Sequence, residues 1–403
     1  MSTHSGPNIV ENGLVLSLDP ANQKSYSPNM FPYSTDIFSW TQTAGVNNGT
    51  QSRDTSTESP IGNSPVKLVV SGNDSHFVTY NSGAWNFASA KNGETWTVSV
   101  YVKATIPTPC QIFIFGANSA GTGYIGGSWL AITAQNHNAS TEWTRVSTSI
   151  TMANADIANI QFRLDGPDSY VSPVTLWFDG VQVEKNNTPT TFNPNYYGNV
   201  LRDISGIGNN GTIFNSPNFS ASNAGSLAFN GTNTYISIPH NDSITPTNAI
   251  TVEAWASLPN WNIASDLRII SKTEGGNYQI GLNDAGYSGE VGGTIMVNGV
   301  YRPVGYSRSL VSAGWHQLIL SFDGRYVNFY LDSVLRDTVD CGSMLTMNVV
   351  NNHLVIGAEP GAGTAVAGAY FNGNIGSCKI YNRALSLNEI KNNFNALRGR
   401  YGI

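Results

Sequence analysis

His316-Gln317-Leu318-Ile319-Leu320-Ser321-Phe322-Asp323-Gly324-Arg325-Tyr326-Val327-Asn328-Phe329-Tyr330-Leu331-Asp332 reads as two strands meeting at a turn. Leu318, Leu320 and Phe322 alternate to one face, Asp323-Gly324 makes the turn, and Val327, Phe329 and Leu331 return. Asp-Gly between alternating strands is a strong hairpin signal, because a two-residue hairpin turn needs positive φ at both positions. The same period of two runs through Trp96-Thr97-Val98-Ser99-Val100-Tyr101-Val102-Lys103, through residues 160–164 and through residues 250–255. A slip of one residue would turn each apolar set to water, so these registers are well specified. One helix is predicted, at the C-terminus. Ser386 is its N-cap, Glu389 closes a capping box, and Leu387, Ile390, Phe394 and Leu397 share a face.

Composition agrees with short strands and many turns. Charged residues are only 11% of the chain, against roughly a quarter in an average soluble protein. Gly, Asn, Ser and Thr fill that space, and they suit turns and exposed strand faces. A 40% hydrophobic fraction provides enough apolar surface to offset chain entropy, which argues against disorder. The net charge of −6 excludes a nucleic-acid binder that must displace counterions with a basic face. No run of 18 apolar residues exists, so membrane insertion is not expected. The first 13 residues lack a signal-peptide pattern, and synthesis in a reducing cytoplasm is expected. Cys110, Cys341 and Cys378 are odd in number and far apart, which implies neither a disulfide framework nor a metal knuckle. Cys378, in an apolar strand, reads as a small core residue.

At 403 residues the chain exceeds what one core usually holds, and two strand-rich regions meet at a Pro- and Asn-rich connector over residues 188–198. The second region resembles the laminin-G-like, concanavalin-A-like family. The resemblance rests on Asp203-Ile204-Ser205-Gly206-Ile207-Gly208-Asn209-Asn210-Gly211-Thr212, on residues 225–236, on Thr251-Val252-Glu253-Ala254-Trp255, on Gly314-Trp315-His316 and on residues 380–386. Gly13-Leu14-Val15-Leu16-Ser17-Leu18-Asp19 resembles the first strand of that same family, yet about 170 residues follow before its next motif. The intervening region is similar to carbohydrate-binding-module-like jelly rolls, through residues 29–41 and 97–104, Glu142-Trp143-Thr144-Arg145-Val146 and Trp177-Phe178-Asp179-Gly180-Val181-Gln182-Val183-Glu184. The expected fold is therefore all-β: two antiparallel β-sandwich jelly rolls, one inserted into the other, with a short C-terminal helix. The expected boundaries are an N-terminal arm at 1–8, a discontinuous laminin-G-like domain at 9–27 and 199–403, and the insert at 28–198.

The whole arrangement resembles virion proteins of marine tailed bacteriophages. That implies a non-enzymatic structural protein on the particle surface, a capsid decoration or appendage, assembled in the host cytoplasm and present in multiple copies. Its implied partners are other capsid or tail proteins and host surface glycans, without nucleic acid. A receptor-binding tail adhesin or fibre protein is the alternative, and a free carbohydrate-binding protein a further one. The arm at 1–8 has no apolar periodicity, and it is expected to anchor the protein to the particle.

Catalysis is not expected. A retaining glycosidase needs two carboxyl groups about 5 Å apart, but Glu253 stands alone on its strand, and the odd separation of Asp179 and Glu184 puts them on opposite faces. The histidines at 4, 76, 137, 240, 316 and 353 show no metal spacing, no Ser-His-Asp arrangement is evident, and His316 reads as a packing residue. Gly126-Gly127, Gly275-Gly276 and Gly292-Gly293 read as turns. Trp261, Tyr287, Tyr301 and Tyr306 lie in Gly-rich, loop-like stretches, where they are candidates either to stack on sugars or to form an interface with other subunits. Asp179 shares strand phase with Trp177, Val181 and Val183, so it points inward and needs a cation or donors. The jelly-roll resemblance implies a structural Ca²⁺ there. The alternatives are a bulge at Gly180 that turns Asp179 to solvent, or pairing with Arg163 or Arg145.

Overall fold

The computed structural model describes residues 7–27, 49–61, 65–70, 77–79, 90–120, 122–167, 173–193, 199–215, 217–220, 224–287, 289–361 and 366–403. Residues 1–6 of the arm, the 29–41 motif, the connector at 194–198, His4 and His76 lie outside them. The regular structure of the described chain is nearly all β, with one C-terminal α-helix, and all its sheets are antiparallel. It divides into two compact units: Met1–Tyr26 with Asn199–Ile403, and Ser27–Gly198.

The Ser27–Gly198 unit is a sandwich. Its five-stranded sheet runs in the order Thr144–Thr151, Thr95–Ala104, Val174–Glu184, Val66–Val70, Gly49–Arg53. The four-stranded sheet runs Phe77–Thr79, Asn159–Asp165, Thr108–Ala117, Ala131–Ala139. Alternation decides which side chains meet between them. Val98, Val100 and Val102 from one sheet join Ile112, Ile114, Phe162 and Leu164 from the other in a single core.

The other unit packs two larger sheets. One is ordered Asn218–Ser220, Ser226–Asn230, Asn372–Tyr381, Ile250–Leu258, Gly314–Phe322, Tyr326–Leu331, Val334–Asp340, and Leu14–Leu18 also pairs with Asn372–Tyr381. The second is ordered Val200–Leu201, Gly211–Phe214, Tyr235–Ile238, Leu354–Ile356, Leu267–Ser271, Tyr278–Leu282, Glu290–Val297, Val300–Ser307. Leu318, Leu320, Phe322, Val327, Phe329 and Leu331 lie in the core between them, as their alternation predicts. The turn differs from the expectation. Phe322 pairs with Val327, only Gly324 takes positive φ (101°), and the Asp323 carboxylate accepts hydrogen bonds from the Arg325 and Tyr326 amides. A longer loop held by a side chain thus replaces a two-residue turn.

The helix Leu387–Tyr401 carries the predicted capping box and ends at Gly402 in the left-handed conformation. Its buried face, Ile390 and Tyr401 with Phe394 and Leu397, packs against Ile319, Tyr381, Trp255 and Trp315 on the far side of the first sheet. That sheet is therefore covered on both faces. Leu387, predicted on the same stripe, is 45% exposed at the first helical position.

Candidate functional site

Two surfaces collect polar and aromatic side chains. The first is the outer face of the four-stranded sheet in the Ser27–Gly198 unit. Strand Thr108–Ala117 sends Ile112 and Ile114 into the core, so Gln111, Phe113 and Phe115 stand half-buried on the opposite face. Register places Asp165 and Asn136 on either side of Gln111, Arg163 and Ala134 beside Phe113, and Gln161 and Ile132 beside Phe115. The Arg163 guanidinium lies 4.0 Å from the Phe113 ring centroid, and a fork of hydrogen bonds of 2.7 to 3.1 Å to the buried Asp165 carboxylate fixes it. Gln111 Nε2 donates to Asn136 Oδ1. Two half-buried aromatic rings, amide side chains and an ion pair thus share this face of the sheet. Sequence reasoning missed it. The available signal was Gln111-Ile112-Phe113-Ile114-Phe115, where aromatic side chains occupy the phase that faces away from the core.

The second surface is a cleft of about 300 Å³ on the second sheet of the other unit, lined by Thr273, Glu274, Gln279, Asp284, Thr294, Tyr301, Pro303 and Glu359 among others. Gly281, Gly292 and Gly305 stand side by side across three strands. A Cβ at Gly281 would lie 2.3 Å from the Leu267 carbonyl oxygen, and one at Gly292 equally close to that of Val304. The Gly292-Gly293 pair is thus mid-strand, not a turn as expected, because close backbone approach needs the bare positions. The short helical turn Ala285–Tyr287 lies against the strands Glu290–Val297 and Val300–Ser307. Arg268, buried beneath, donates to Asp266, to Asp284 (2.6 Å), to Glu359 (3.2 Å) and to Gln279 Oε1 (2.8 Å). Burial raises the Glu359 carboxyl above its ordinary pKa, against the pull of Arg268.

The four aromatic candidates separate by burial. Trp261 has no exposed surface. Its indole donates to the Gly314 carbonyl (3.0 Å) and meets the His316 ring edge-to-face, so it is a core residue unable to stack on a ligand. Tyr287 is 3% exposed, with its hydroxyl 3.3 Å from Gln279 Nε2. Tyr301 and Tyr306 lie on the strand Val300–Ser307, not in a loop. Tyr306 is half-buried, with the Arg336 guanidinium 4.6 Å from its ring. Tyr301 alone of the four is well exposed, at 41%, and it lines the cleft.

Asp179 is buried, but not in the phase expected. Phe178 faces the core, and the register then shifts between Asp179 and Gln182 at Gly180, which has φ of 58°. The bulge puts Val181 and Val183 in phase with Phe178 and leaves Asp179 on the face of Trp177. The bulge foreseen as an alternative is present, yet it does not turn Asp179 to solvent. Its carboxylate accepts from the Ser59 hydroxyl and from the Gly180 amide (2.8 Å). Arg163 turns to Asp165, and Arg145 donates to Thr190 and Ser99. Among the described residues no three His, Cys, Asp or Glu side chains converge as metal ligands.

Ser312, His316 and Asp332 do come together, which their sequence positions did not reveal. His316 Nδ1 lies 2.6 Å from Asp332 Oδ2, while Nε2 lies 2.9 Å from the Ser312 carbonyl and 3.2 Å from its hydroxyl. An Nε2 that donates to the carbonyl cannot take a proton from the hydroxyl, so this is a structural clasp. Glu253, alone on its strand in sequence, is satisfied by Lys379, Gln317, Trp255 and Asn393.

Comparison with known proteins fits this division. The family model described as the concanavalin A-like lectin/glucanases superfamily matches residues 230–391, and the one described as a carbohydrate binding domain matches residues 36–170. Each match covers less than half of the chain, and the two support a likeness to the concanavalin A-like lectin fold in one unit and to a carbohydrate-binding domain in the other. No curated protein matches it. Similar solved structures include the binding domain of botulinum neurotoxin DC in complex with SialylT, at 14% identity and a TM-score of 0.37, covering 49% of this chain and 48% of that one. Another is the botulinum neurotoxin serotype C1 binding domain, at 16% identity and a TM-score of 0.37, covering 49% of each chain. Domain 4 of AbnA, a GH43 extracellular arabinanase from Geobacillus stearothermophilus, in complex with arabinotriose, is 17% identical at a TM-score of 0.35, covering 47% of this chain and 91% of that one. The chain spans about half the length of the neurotoxin domains it matches.

Proposed function

We propose that this protein is a non-enzymatic structural protein of a tailed-phage virion, displayed on the particle surface, that contacts host glycans through its inserted jelly roll. The observation that carries the glycan reading is the Phe113–Phe115 platform edged by Gln111, Asn136, Gln161 and Arg163, within the span that matches a carbohydrate-binding family. Sugar rings present apolar C–H faces and hydroxyl edges, which such a surface of aromatic faces and amides complements. The virion reading rests on the sequence resemblance, and its partners are neighbouring capsid or tail subunits. On the jelly-roll resemblance, Asp179 is also proposed to help hold a structural Ca²⁺ together with backbone oxygens, its carboxylate being the hard anionic donor that ion takes. An unchanged melting temperature in EDTA would remove that ion from the account.

The test is direct. Glycan-array binding by the full chain is expected to fall at least about tenfold in Phe113→Ala, about 1.4 kcal/mol of binding, with the circular dichroism spectrum retained. Immunogold labelling of purified particles is expected to decorate their surface. Array binding that is indifferent to Phe113, or unlabelled particles, would overturn the respective half.

A further inference from the structure

We infer that the cleft beside Tyr301 is a second glycan subsite, one that takes a neutral or amine-bearing sugar ring and rejects sialic and uronic acids. This extends the glycan reading to the other unit and rests on a different set of residues. Thr294 carries the inference. It lines the cleft, is 4% exposed, and its hydroxyl has no hydrogen-bond partner among the described residues. Its cross-strand neighbours explain why. Pro303, opposite on one side, has no N–H, and Gln279, opposite on the other, is fully committed. Gln279 Oε1 accepts from Arg268 and Thr273, while its Nε2 donates to Asp284 and lies near Tyr287. Buried hydroxyls are almost always paired, so an orphan at the wall of a cleft points to a ligand that completes it.

The other walls narrow the ligand. Tyr301 offers an exposed ring held in place through its hydroxyl, which accepts from the Gly275 amide at 3.1 Å, and Pro303 lies beside it. Apolar and polar side chains lining one cleft of about 300 Å³ suit a sugar ring. Charge then sets the selection. Glu274, Asp284 and Glu359 line the cleft, and Asp266 shares Arg268 with the last two. The nearby cation, Arg268, is buried behind the lining residues and already engaged with three carboxylates and Gln279, so its single charge is more than offset. A carboxylate sugar would meet a surplus of negative charge in a partly dehydrated cleft, where repulsion is strong. An ammonium would be welcomed there. A metal ion is the poorer occupant, because these carboxylates do not converge as a ligand group.

The experiment uses the full chain carrying Phe113→Ala, so that the platform on the insert is silenced. It is screened on an array of neutral, amino, sialylated and uronic glycans, and hits are titrated by calorimetry. Neutral or amino glycans are expected to bind, with sialylated and uronic ones at least about tenfold weaker. Thr294→Val and Tyr301→Ala are each expected to weaken binding about tenfold at unchanged melting temperature. Preferred binding of acidic glycans, binding indifferent to both substitutions, or an array that stays blank for the Phe113→Ala protein while the native chain binds, each overturns this site alone. A blank array for the native chain overturns the glycan reading as well.

Discussion

Buried against Trp261, the His316 ring bonds through both nitrogens, to Asp332 on one side and to Ser312 on the other. Burial works against its charged form, but the Asp332 carboxylate and the Ser312 carbonyl outweigh it, and the pKa is raised. A raised folded-state pKa means that this stabilisation is fully present below the ordinary histidine range, near pH 6.5. It is lost as pH rises through the folded value. Replacing His316 by Gln is therefore expected to cost about 1.5–3 kcal/mol at pH 5.5, the range for hydrogen bonds to charged groups, and clearly less at pH 9. Chemical denaturation of both proteins at the two pH values checks this, and a pH-independent difference would refute it. Single residues were the least legible scale in the sequence. Local composition marked Trp261 as a loop aromatic, but its burial depends on Gly314 and His316, more than fifty residues away. The orphaned hydroxyl of Thr294 was equally hidden, because only cross-strand pairing brings Pro303 and Gln279 to its sides.

Between helix and sheet lies a buried polar layer, and it governs the element scale. Glu253 and Lys379 sit 3.2 Å apart with 0% and 2% side-chain exposure, under Asn393 of the helix and the Tyr381 hydroxyl. Removing one partner strands the other, so Lys379→Met is expected to cost about 3–5 kcal/mol. The double variant Glu253→Gln, Lys379→Met is expected to recover most of that loss, because no unpaired charge then remains buried. Urea titrations of the two variants decide it. A double variant as unstable as the single one would mean that lost packing, not the stranded charge, is responsible. Elements themselves were readable where the signal was local. The capping box needs only Ser386 and Glu389, three residues apart, and the alternating strands need only their own side chains. The Asp179 phase failed because a bulge at one glycine reverses every face beyond it.

At the scale of the whole molecule, the first strand belongs with residues that follow it by nearly the full chain length. Leu16, Ser17 and Leu18 pair with Ile380, Lys379 and Cys378. Val15, Leu16 and Leu18 enter the core of the Asn199–Ile403 unit. Ser17 N donates to Asp203, Asn209 donates to the Val15 carbonyl, and Arg400 pairs with Asp19. The family motifs around Leu14 and Asp203 made this partnership readable, since alternation alone assigns a strand a face but no partner. Burying three aliphatic side chains contributes roughly 1.5–3 kcal/mol each, so their sum rivals the 5–15 kcal/mol stability of a whole domain. A fragment of residues 199–403 is therefore expected to melt far below the full chain or not to fold, and a synthetic peptide of residues 9–27 added in trans is expected to restore it. A fragment of residues 28–198, which keeps its own core of Val98, Ile112, Phe162 and Leu176, is expected to unfold cooperatively by itself. Differential scanning calorimetry of the two fragments separates the cases. Should residues 199–403 alone melt at the temperature of the intact protein, the first strand adds nothing and the discontinuous domain is not a cooperative unit.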